Sequence, residues 1–331
     1  MTRLLLPARV RAIVGPYVAP LVLLALRLTR RRAGIALLYH RIGPRQGDPA
    51  RELMPPLHVE CFKRQLRHLR RHYEIVPTER LRDAIARRRR GQRFPVCLTF
   101  DDDTPDHARY ALPALRAAGV PATFFLCGSF LDDGAPAFWW QRVQRALDRG
   151  VPAGAVAALL PDGARAALGA EPDIHAIGTA MVALAPDERD AVNAALPSLA
   201  GADGDDDRLS AEGAAGLVED GCTIGFHTRR HDALTALDDG ALERALVDSR
   251  EELAGLAGHQ LRSIAYPYGI VDARVAKAAG AAGFELGFTC QSIAATPDSD
   301  PLLIGRLEPG AMSLGAFALA MVRPLLTPGR R

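Results

Sequence analysis

Short apolar runs alternate with segments of helical spacing along most of the chain. The runs have the length and the β-branched or aromatic content of buried strands, whereas the intervening segments place apolar residues every three or four positions. This alternation is typical of parallel strands joined by crossover helices, so the pattern predicts an α/β fold. The predicted strands are 35–40, 74–76, 96–100, 122–127, 222–226, 263–266, 284–289 and 302–304. The predicted helices are 60–72, 78–90 with Thr78 as its N-cap, 106–118, 210–219, 242–257, 273–282 and 314–322.

The segment from about 134 to 205 interrupts this alternation. It is rich in Ala, Leu and Asp, poor in β-branched residues and punctuated by prolines. Helices are predicted at 138–147, 164–168 and 187–196, followed by an acidic loop at 201–207. We interpret the segment as a helical insertion in a domain of residues 34–323, flanked by an N-terminal segment, 1–33, and a short tail, 324–331.

Composition narrows the class of protein. With 331 residues, 48% of them hydrophobic, the chain can bury a sizeable core. The net charge is only +3, yet arginines crowd the first 95 residues, as at 30–32 and 87–90. No nucleic-acid motif accompanies them, so we interpret them as a solvated surface and expect no nucleic-acid partner. The five cysteines have no paired spacing, which argues against a disulfide framework or a zinc knuckle.

The N-terminal segment contains a mostly apolar stretch from Ile13 to Leu26, interrupted by Pro16 and Pro20. It is short for a membrane-spanning helix and has no small-residue cleavage site. Three interpretations stay open: an interfacial membrane anchor, a signal-anchor, or a helix packed on the domain. The first two make a membrane surface a partner and place the protein at a membrane or outside the cytoplasm, which is the location we favour.

Candidate chemistry begins where the strand at 96–100 stops at three consecutive carboxylates, Asp101, Asp102 and Asp103. In α/β folds the carboxyl ends of strands carry the chemistry. Three adjacent acids repel one another, and solvent, a cation or protonation must relieve that repulsion. The alternative is an exposed acidic loop.

Two further stretches also follow predicted strands. His227 and His231 are four residues apart, a spacing that suits two imidazoles on one metal ion, and two histidines with one carboxylate are a common ligand set for a catalytic divalent ion. In the segment 266–269, Tyr-Pro-Tyr-Gly, the proline and glycine fix an unusual backbone course that could aim an N–H group into a site. Taken alone, the last stretch favours an ordinary turn at the end of a strand.

In this order the three stretches resemble the motifs of the polysaccharide deacetylases, the NodB-homology family or family 4 carbohydrate esterases. The matching segments are 99–102, 227–231 and 266–269, with supporting matches at 38–41 and 119–125. The resemblance implies a distorted (β/α) barrel of the NodB-homology type, with a metal-dependent amidase site at the carboxyl ends of its strands. The implied substrate is an N-acetylated amino sugar of a glycan.

The resemblance also implies roles for particular residues. Asp102, His227 and His231 would bind a divalent ion, with Zn²⁺ expected and Co²⁺ or Ni²⁺ as alternatives. Asp101 would be the general base, and the backbone N–H of Tyr268 would help to form an oxyanion hole. We also expect Tyr266 and Pro267 to contact the substrate.

The chain departs from the family pattern at two positions. Asp103 stands where the family usually has glycine, and we expect its side chain to face solvent, with a contact to a metal ligand or to a substrate amine as the alternatives. Ala265 stands where the family often has an arginine that orients the base. On regular strand geometry Arg262 points with Ile264 and not with Ala265, so we do not expect it to replace that arginine.

The family's general-acid histidine is also missing, because the corresponding region, 303–307, contains none. Our hypothesis is that His40, at the end of the first predicted strand, protonates the leaving amine, with His107 as the second choice. Two alternatives to a polysaccharide deacetylase stay open. The protein could deacylate a lipid-linked sugar at the membrane, or it could be a catalytically silent carbohydrate-binding protein of the same fold.

Overall fold

A computed structural model describes residues 8–132, 136–169, 171–204 and 207–327. Seven parallel strands form one continuous sheet in the order β10-β1-β5-β6-β7-β8-β9, and β4 pairs with β5 beside this path. A parallel bridge from Phe288 to Ile304 brings the two edges together, so the sheet is a nearly closed barrel and the predicted fold is confirmed. The strands are β1 Ile35–Tyr39, β2 Ile42–Gly43, β3 Leu57–His58, β4 Glu74–Ile75, β5 Pro95–Asp101, β6 Thr123–Leu126, β7 Thr223–Phe226, β8 Ser263–Ala265, β9 Leu286–Phe288 and β10 Arg306–Leu307.

Helices cover the outside of the barrel and fill the insertion. They are α1 Ala8–Arg27, α2 Val59–His72, α3 Leu81–Arg87, α4 Leu112–Ala118, α5 Trp139–Asp148, α6 Ala153–Ala157, α7 Asp162–Ala166, α8 Ile174–Ala183, α9 Pro186–Ala195, α10 Pro197–Ala200, α11 Ala211–Glu219, α12 Asp239–Val247, α13 Arg250–Ala257, α14 Ala273–Ala281 and α15 Leu314–Leu326. The barrel strands are buried on both faces, β1 and β5 along their whole length, which explains their unbroken apolar sequences.

Four local predictions are wrong. The strand expected at 302–304 is not formed: only Ile304 makes a bridge there, and the strand of this region is β10. The helix expected at 242–257 is two helices, because Ser249 between them adopts a φ of 61° that an α-helix cannot accommodate. Thr78 is not the N-cap of α3. It begins a short 3₁₀ turn, and its hydroxyl is hydrogen-bonded to that of Thr123 at 2.7 Å. The closing helix continues past Val322 to Leu326, into the predicted tail, whose last four residues lie outside the described part.

The segment between β6 and β7 has its own apolar cluster. Trp140, Val143, Ile177, Met181 and Leu196 are all buried there, apart from the barrel core. Helix α8, which no pattern predicted, supplies two of these residues. Residues 133–135 and 170 lie outside the described part, as do residues 205–206 of the predicted acidic loop.

Helix α1 packs along α15 on the outside of the barrel. Ala19 and Leu23 are buried in this contact, and a Cβ atom at Gly15 would lie only 2.2 Å from the Gly315 carbonyl oxygen. Among the described residues, no helix has both the length and the hydropathy needed to cross a membrane. Of the three interpretations of the N-terminal segment, the structure shows a helix packed on the domain.

Candidate active site

The three motifs meet because β5, β7 and β8 are parallel, which places their carboxyl ends at one end of the barrel. Their backbone is strained there. Five non-glycine residues of the described part have a positive φ, and four of them lie in the motifs: Asp102, Thr228, His231 and Tyr268. Such conformations are uncommon for residues with a side chain and cluster at functional sites.

Asp102, His227 and His231 form a compact buried triangle. The Asp102 Oδ1 atom lies 3.5 Å from His227 Nε2 and 3.4 Å from His231 Nε2, and the two Nε2 atoms are 3.2 Å apart. Tetrahedral zinc with bonds of about 2.1 Å separates its ligand atoms by about 3.4 Å. Asp102 Oδ1 is buried and has no hydrogen-bond partner among the described residues. The donor set and the orphaned carboxylate oxygen therefore fit one divalent ion.

The two histidines are held in place by different contacts. His227 Nδ1 lies 2.8 Å from the Ala265 carbonyl oxygen, which can only accept. Nδ1 must therefore carry the proton, which leaves the Nε2 lone pair for a metal. The His231 ring lies edge-on to Trp140 and to Tyr268, with ring centroids 4.8 and 4.5 Å away. The insertion and the Tyr268 turn thus share in orienting this ring.

Asp101 lies beside the triangle and is paired with an arginine that sequence reasoning missed. Arg306 Nη1 and Nη2 donate to the two carboxylate oxygens of Asp101 at 2.6 and 2.7 Å, and both side chains are buried. Burial alone would raise the pKa of Asp101, but the Arg306 guanidinium, together with His227 and His40, outweighs it and lowers the pKa. The available signal was a lone arginine at the end of an apolar run predicted as a strand, since a buried arginine needs a partner.

Arg306 comes from β10, not from the third motif. As expected, Arg262 does not fill the position of the family arginine: its side chain is exposed and forms an ion pair with Glu285 at 2.7 Å. The arginine that pairs with Asp101 therefore lies on a different strand from the one that the resemblance implied.

Asp103 corrects another expectation, because its side chain does not face solvent. It is fully buried and accepts hydrogen bonds from the backbone N–H groups of Cys127 and Ser129 at 2.8 and 2.7 Å, and from the Ser129 hydroxyl at 2.7 Å. Asp103 therefore ties the end of β5 to the loop after β6.

The residues of the third motif, 266–269, differ in their positions relative to the cavity. Tyr266 and Pro267 are buried outside the cavity described below, and the Tyr266 hydroxyl donates to the Leu302 carbonyl oxygen at 3.0 Å. The strand end turns both side chains into the barrel wall, and their contact with substrate stays a prediction. Tyr268 does line the cavity, with a φ of 59°. The following turn packs so closely that a Cβ atom at Gly269 would lie 2.4 Å from Cys290 Sγ.

His40 and His107 have separate environments. His40 lines the cavity, and its Nδ1 lies 3.2 Å from Glu308 Oε1. Burial lowers the pKa of His40, but the Glu308 hydrogen bond and the Asp102 and Asp101 carboxylates outweigh it and raise the pKa to about 9. His107 is fully buried against Phe124, donates from Nε2 to the His40 carbonyl oxygen at 3.0 Å, and does not line the cavity.

A cavity of about 670 Å³ opens over these groups, with His40, Asp101, Asp102, His227 and His231 in its wall. Most of the remaining wall is apolar and comes from the insertion and from loops of the barrel: Leu53, Met54, Trp139, Trp140, Val182 and Ile270. Both tryptophans are largely buried, so they serve the core of the insertion and the cavity wall together. A triangle of candidate metal ligands and a paired carboxylate therefore lie in the wall of a concave, mostly apolar cavity.

The barrel and the buried cluster at its carboxyl end define a (β/α)-barrel hydrolase with a candidate metal centre. The model of the family described as polysaccharide deacetylase matches residues 88–159 and 198–287, which contain the Asp101, His227 and Tyr268 motifs. The chain belongs to the polysaccharide deacetylase family, whose activity is hydrolysis of N-acetyl amide bonds of sugars. His40 and Arg306 lie outside the matched segments.

Solved structures agree with the fold. The chain is similar to the deacetylase PplD of Streptococcus pyogenes, with 16% identity, a TM-score of 0.58 and coverage of 87% of this chain and 98% of that one. It is also similar to IcaB of Ammonifex degensii, with 19% identity, a TM-score of 0.52 and coverage of 87% and 97%. A de-N-acetylase of Aggregatibacter actinomycetemcomitans shares 15% identity, with a TM-score of 0.54 and coverage of 86% and 99%. The comparison with curated protein sequences gave no match.

Proposed function

We propose that the protein removes N-acetyl groups from the amino sugars of a glycan, with a divalent ion, expected to be Zn²⁺, held by Asp102, His227 and His231. The observation that carries the proposal is the metal-sized triangle of ligand atoms beside the Asp101–Arg306 pair, in the wall of one cavity. The carboxylate of Asp102 belongs to the ligand set, whereas the carboxylate of Asp101 is left to act as the base.

An acetamide is a poor electrophile. A divalent ion bound in the triangle would polarise the amide carbonyl and lower the pKa of a water molecule towards ~7. Asp101, kept ionised by Arg306, accepts a proton from the attacking water. Its Oδ2 atom lies 3.9 Å from His227 Nε2, which places the base directly beside the ligand set. The water oxygen forms the new bond to the acetyl carbon as the C–N bond breaks, giving acetate and a free amine.

Two further groups complete the proposed chemistry. The backbone N–H of Tyr268 stabilises the negative charge that develops on the carbonyl oxygen, which is worth about 3–4 kcal/mol per donor in other acyl-transfer enzymes. His40, which carries a proton below a pKa of about 9, donates it to the leaving nitrogen.

Replacing Glu308 by Gln should move the alkaline limb of the pH profile of deacetylation to lower pH, by roughly one unit. The reason is that the Glu308 anion raises the His40 pKa, and the acid is active only while it is protonated. The measurement is kcat/KM from about pH 6.5 to about pH 10, a range that includes the pKa of a free histidine and the raised pKa of His40. Glu285→Gln, which removes an exposed carboxylate, is the matched control, and an alkaline limb that stays in place in Glu308→Gln would exclude this role of His40.

A second candidate function is deacylation of a lipid-linked sugar. The observation that favours it is the apolar wall of the cavity, with Met54, Val182 and Ile270 beside the catalytic groups. Polar groups in ligand sites fix orientation and apolar walls bury apolar parts of the ligand. A sugar that carries a hydrocarbon group next to its acetamide would use both.

One experiment separates these functions: acetate release from a panel of N-acetylated oligosaccharides and from matched N-acetylglucosamine glycosides with alkyl chains of increasing length. Release from the oligosaccharides supports the first proposal, and release confined to the alkyl glycosides supports the second. Binding of the oligosaccharides without release of acetate from any substrate would contradict both and favour the silent carbohydrate-binding alternative.

A further inference from the structure

Helix α1 carries a continuous apolar stripe on the face that points away from α15. The stripe consists of Ile13, Tyr17, Leu21, Leu24 and Leu28, each between 52% and 75% exposed. The intervals of four, four, three and four residues place all five on one side of a helix and its last turn. The opposite side, with Ala19 and Leu23, is buried against the domain. The helix is therefore apolar on both faces.

This exposure is unfavourable in water. A surface helix normally turns a charged or polar face to solvent, because burial of large apolar side chains is favourable and their exposure is not. Neither α1 nor α15 contains an acidic residue, and α1 has no acidic residue in its first turn to balance its arginines. Contiguous exposed apolar surface of this kind marks an interaction site.

Arginines border the stripe at one end. Arg30 and Arg32 lie in the segment that joins α1 to β1, and Arg89, Arg90 and Arg93 lie in the neighbouring loop. That loop is fixed against the end of α1, since the Gly91 N–H donates to the Arg27 carbonyl oxygen at 2.7 Å. All five arginines are exposed, and none forms an ion pair with another described residue.

We propose that the surface formed by the five stripe residues and these five arginines, the α1 face, docks on an anionic lipid bilayer. An interfacial helix buries its apolar side about 5–10 Å into the headgroup boundary, and basic residues beside it are attracted to anionic lipids. A second copy of the chain would bring further arginines with no acidic residue on α1 or α15 to meet them, whereas lipid phosphates supply the complementary charge.

Docking through the α1 face leaves the cavity accessible. The arginine loop precedes β5 and so lies at the amino end of the barrel, whereas the cavity lies at the carboxyl end. Membrane docking and hydrolysis can therefore be tested separately, and the proposal does not depend on which substrate the site accepts.

The test is co-sedimentation of the full chain with vesicles of phosphatidylcholine alone or of phosphatidylcholine with phosphatidylglycerol. We expect binding that is strengthened by phosphatidylglycerol and weakened by salt. Leu21→Glu/Leu24→Glu should lower binding to both vesicles at least tenfold, whereas Arg30→Gln/Arg32→Gln should lower only the phosphatidylglycerol-dependent part. Val247→Glu, at an exposed apolar position on α12, is the matched control and should bind as the wild type does.

All variants change exposed side chains, and their circular dichroism and thermal unfolding check that they are folded. Equal binding by Leu21→Glu/Leu24→Glu and by the wild type would overturn the proposal. So would a wild-type dimer in solution that binds no vesicles and becomes a monomer in that variant, because the α1 face would then be a contact between copies.

Discussion

Replacing Asp101 by Asn should lower the rate of acetate release by about 10²–10⁴-fold while leaving metal binding intact. Asn keeps the size of the side chain but cannot accept a proton from water. Asp101 contributes no atom to the triangle of Asp102, His227 and His231, so the ligand set survives the change. The measurement is acetate release at saturating substrate together with the metal content of the same sample.

The exposed Glu285–Arg262 pair provides the control for this variant. Glu285→Gln removes a carboxylate that is also paired with arginine, at 2.7 Å, but lies away from the cavity. It should leave the rate unchanged. If Asp101→Asn releases acetate as fast as Glu285→Gln, Asp101 is not the base. If Asp101→Asn loses the metal, Asp101 is one of the metal ligands.

Replacing Arg306 by Met should lower the free energy of unfolding by about 3–5 kcal/mol, because it leaves the Asp101 carboxylate buried without its partner. Protonation of Asp101 would relieve part of this cost, but a protonated Asp101 cannot act as a base. We therefore expect deacetylation at neutral pH to fall as well. Urea unfolding monitored by circular dichroism measures the stability change, with the metal-free protein used throughout.

A double-mutant cycle distinguishes the pair from general damage to the barrel. Arg306→Met/Asp101→Asn removes both charges and should be more stable than Arg306→Met alone. Arg262→Met, the exposed control, should cost less than about 1 kcal/mol. Equal stability of Arg306→Met and Arg262→Met would contradict the account. So would a loss of stability in Arg306→Met/Asp101→Asn that equals the sum of the losses in Arg306→Met and Asp101→Asn.

Local patterns were sufficient to predict parallel strands joined by helices, because most of the barrel strands have compact apolar sequences separated by segments of helical spacing. Closure of the sheet into a barrel was implied by the family resemblance and not by these patterns. The motif residues Asp102, His227 and His231 also meet as the resemblance implied, because the carboxyl ends of neighbouring parallel strands meet at one end of the sheet.

The features that the sequence did not reveal depend on contacts between distant segments. The Asp101–Arg306 pair joins positions 205 residues apart and exists because β10 pairs with β1, next to β5. Asp103 finds its hydrogen-bond donors in the Cys127–Ser129 segment, more than 20 positions further along the chain. The side of the barrel wall on which Tyr266 lies depends on how β8 ends, which a turn sequence alone does not determine.

The most direct test of the central claim is a titration of metal-free protein with Zn²⁺, in which acetate release from an N-acetylated oligosaccharide is followed at each addition. The account predicts that activity rises with added metal and reaches its maximum at one ion per chain, and that His231→Gln gains no activity over the same range. Metal-free protein that releases acetate at the full rate, or His231→Gln that is activated like the wild type, would contradict it.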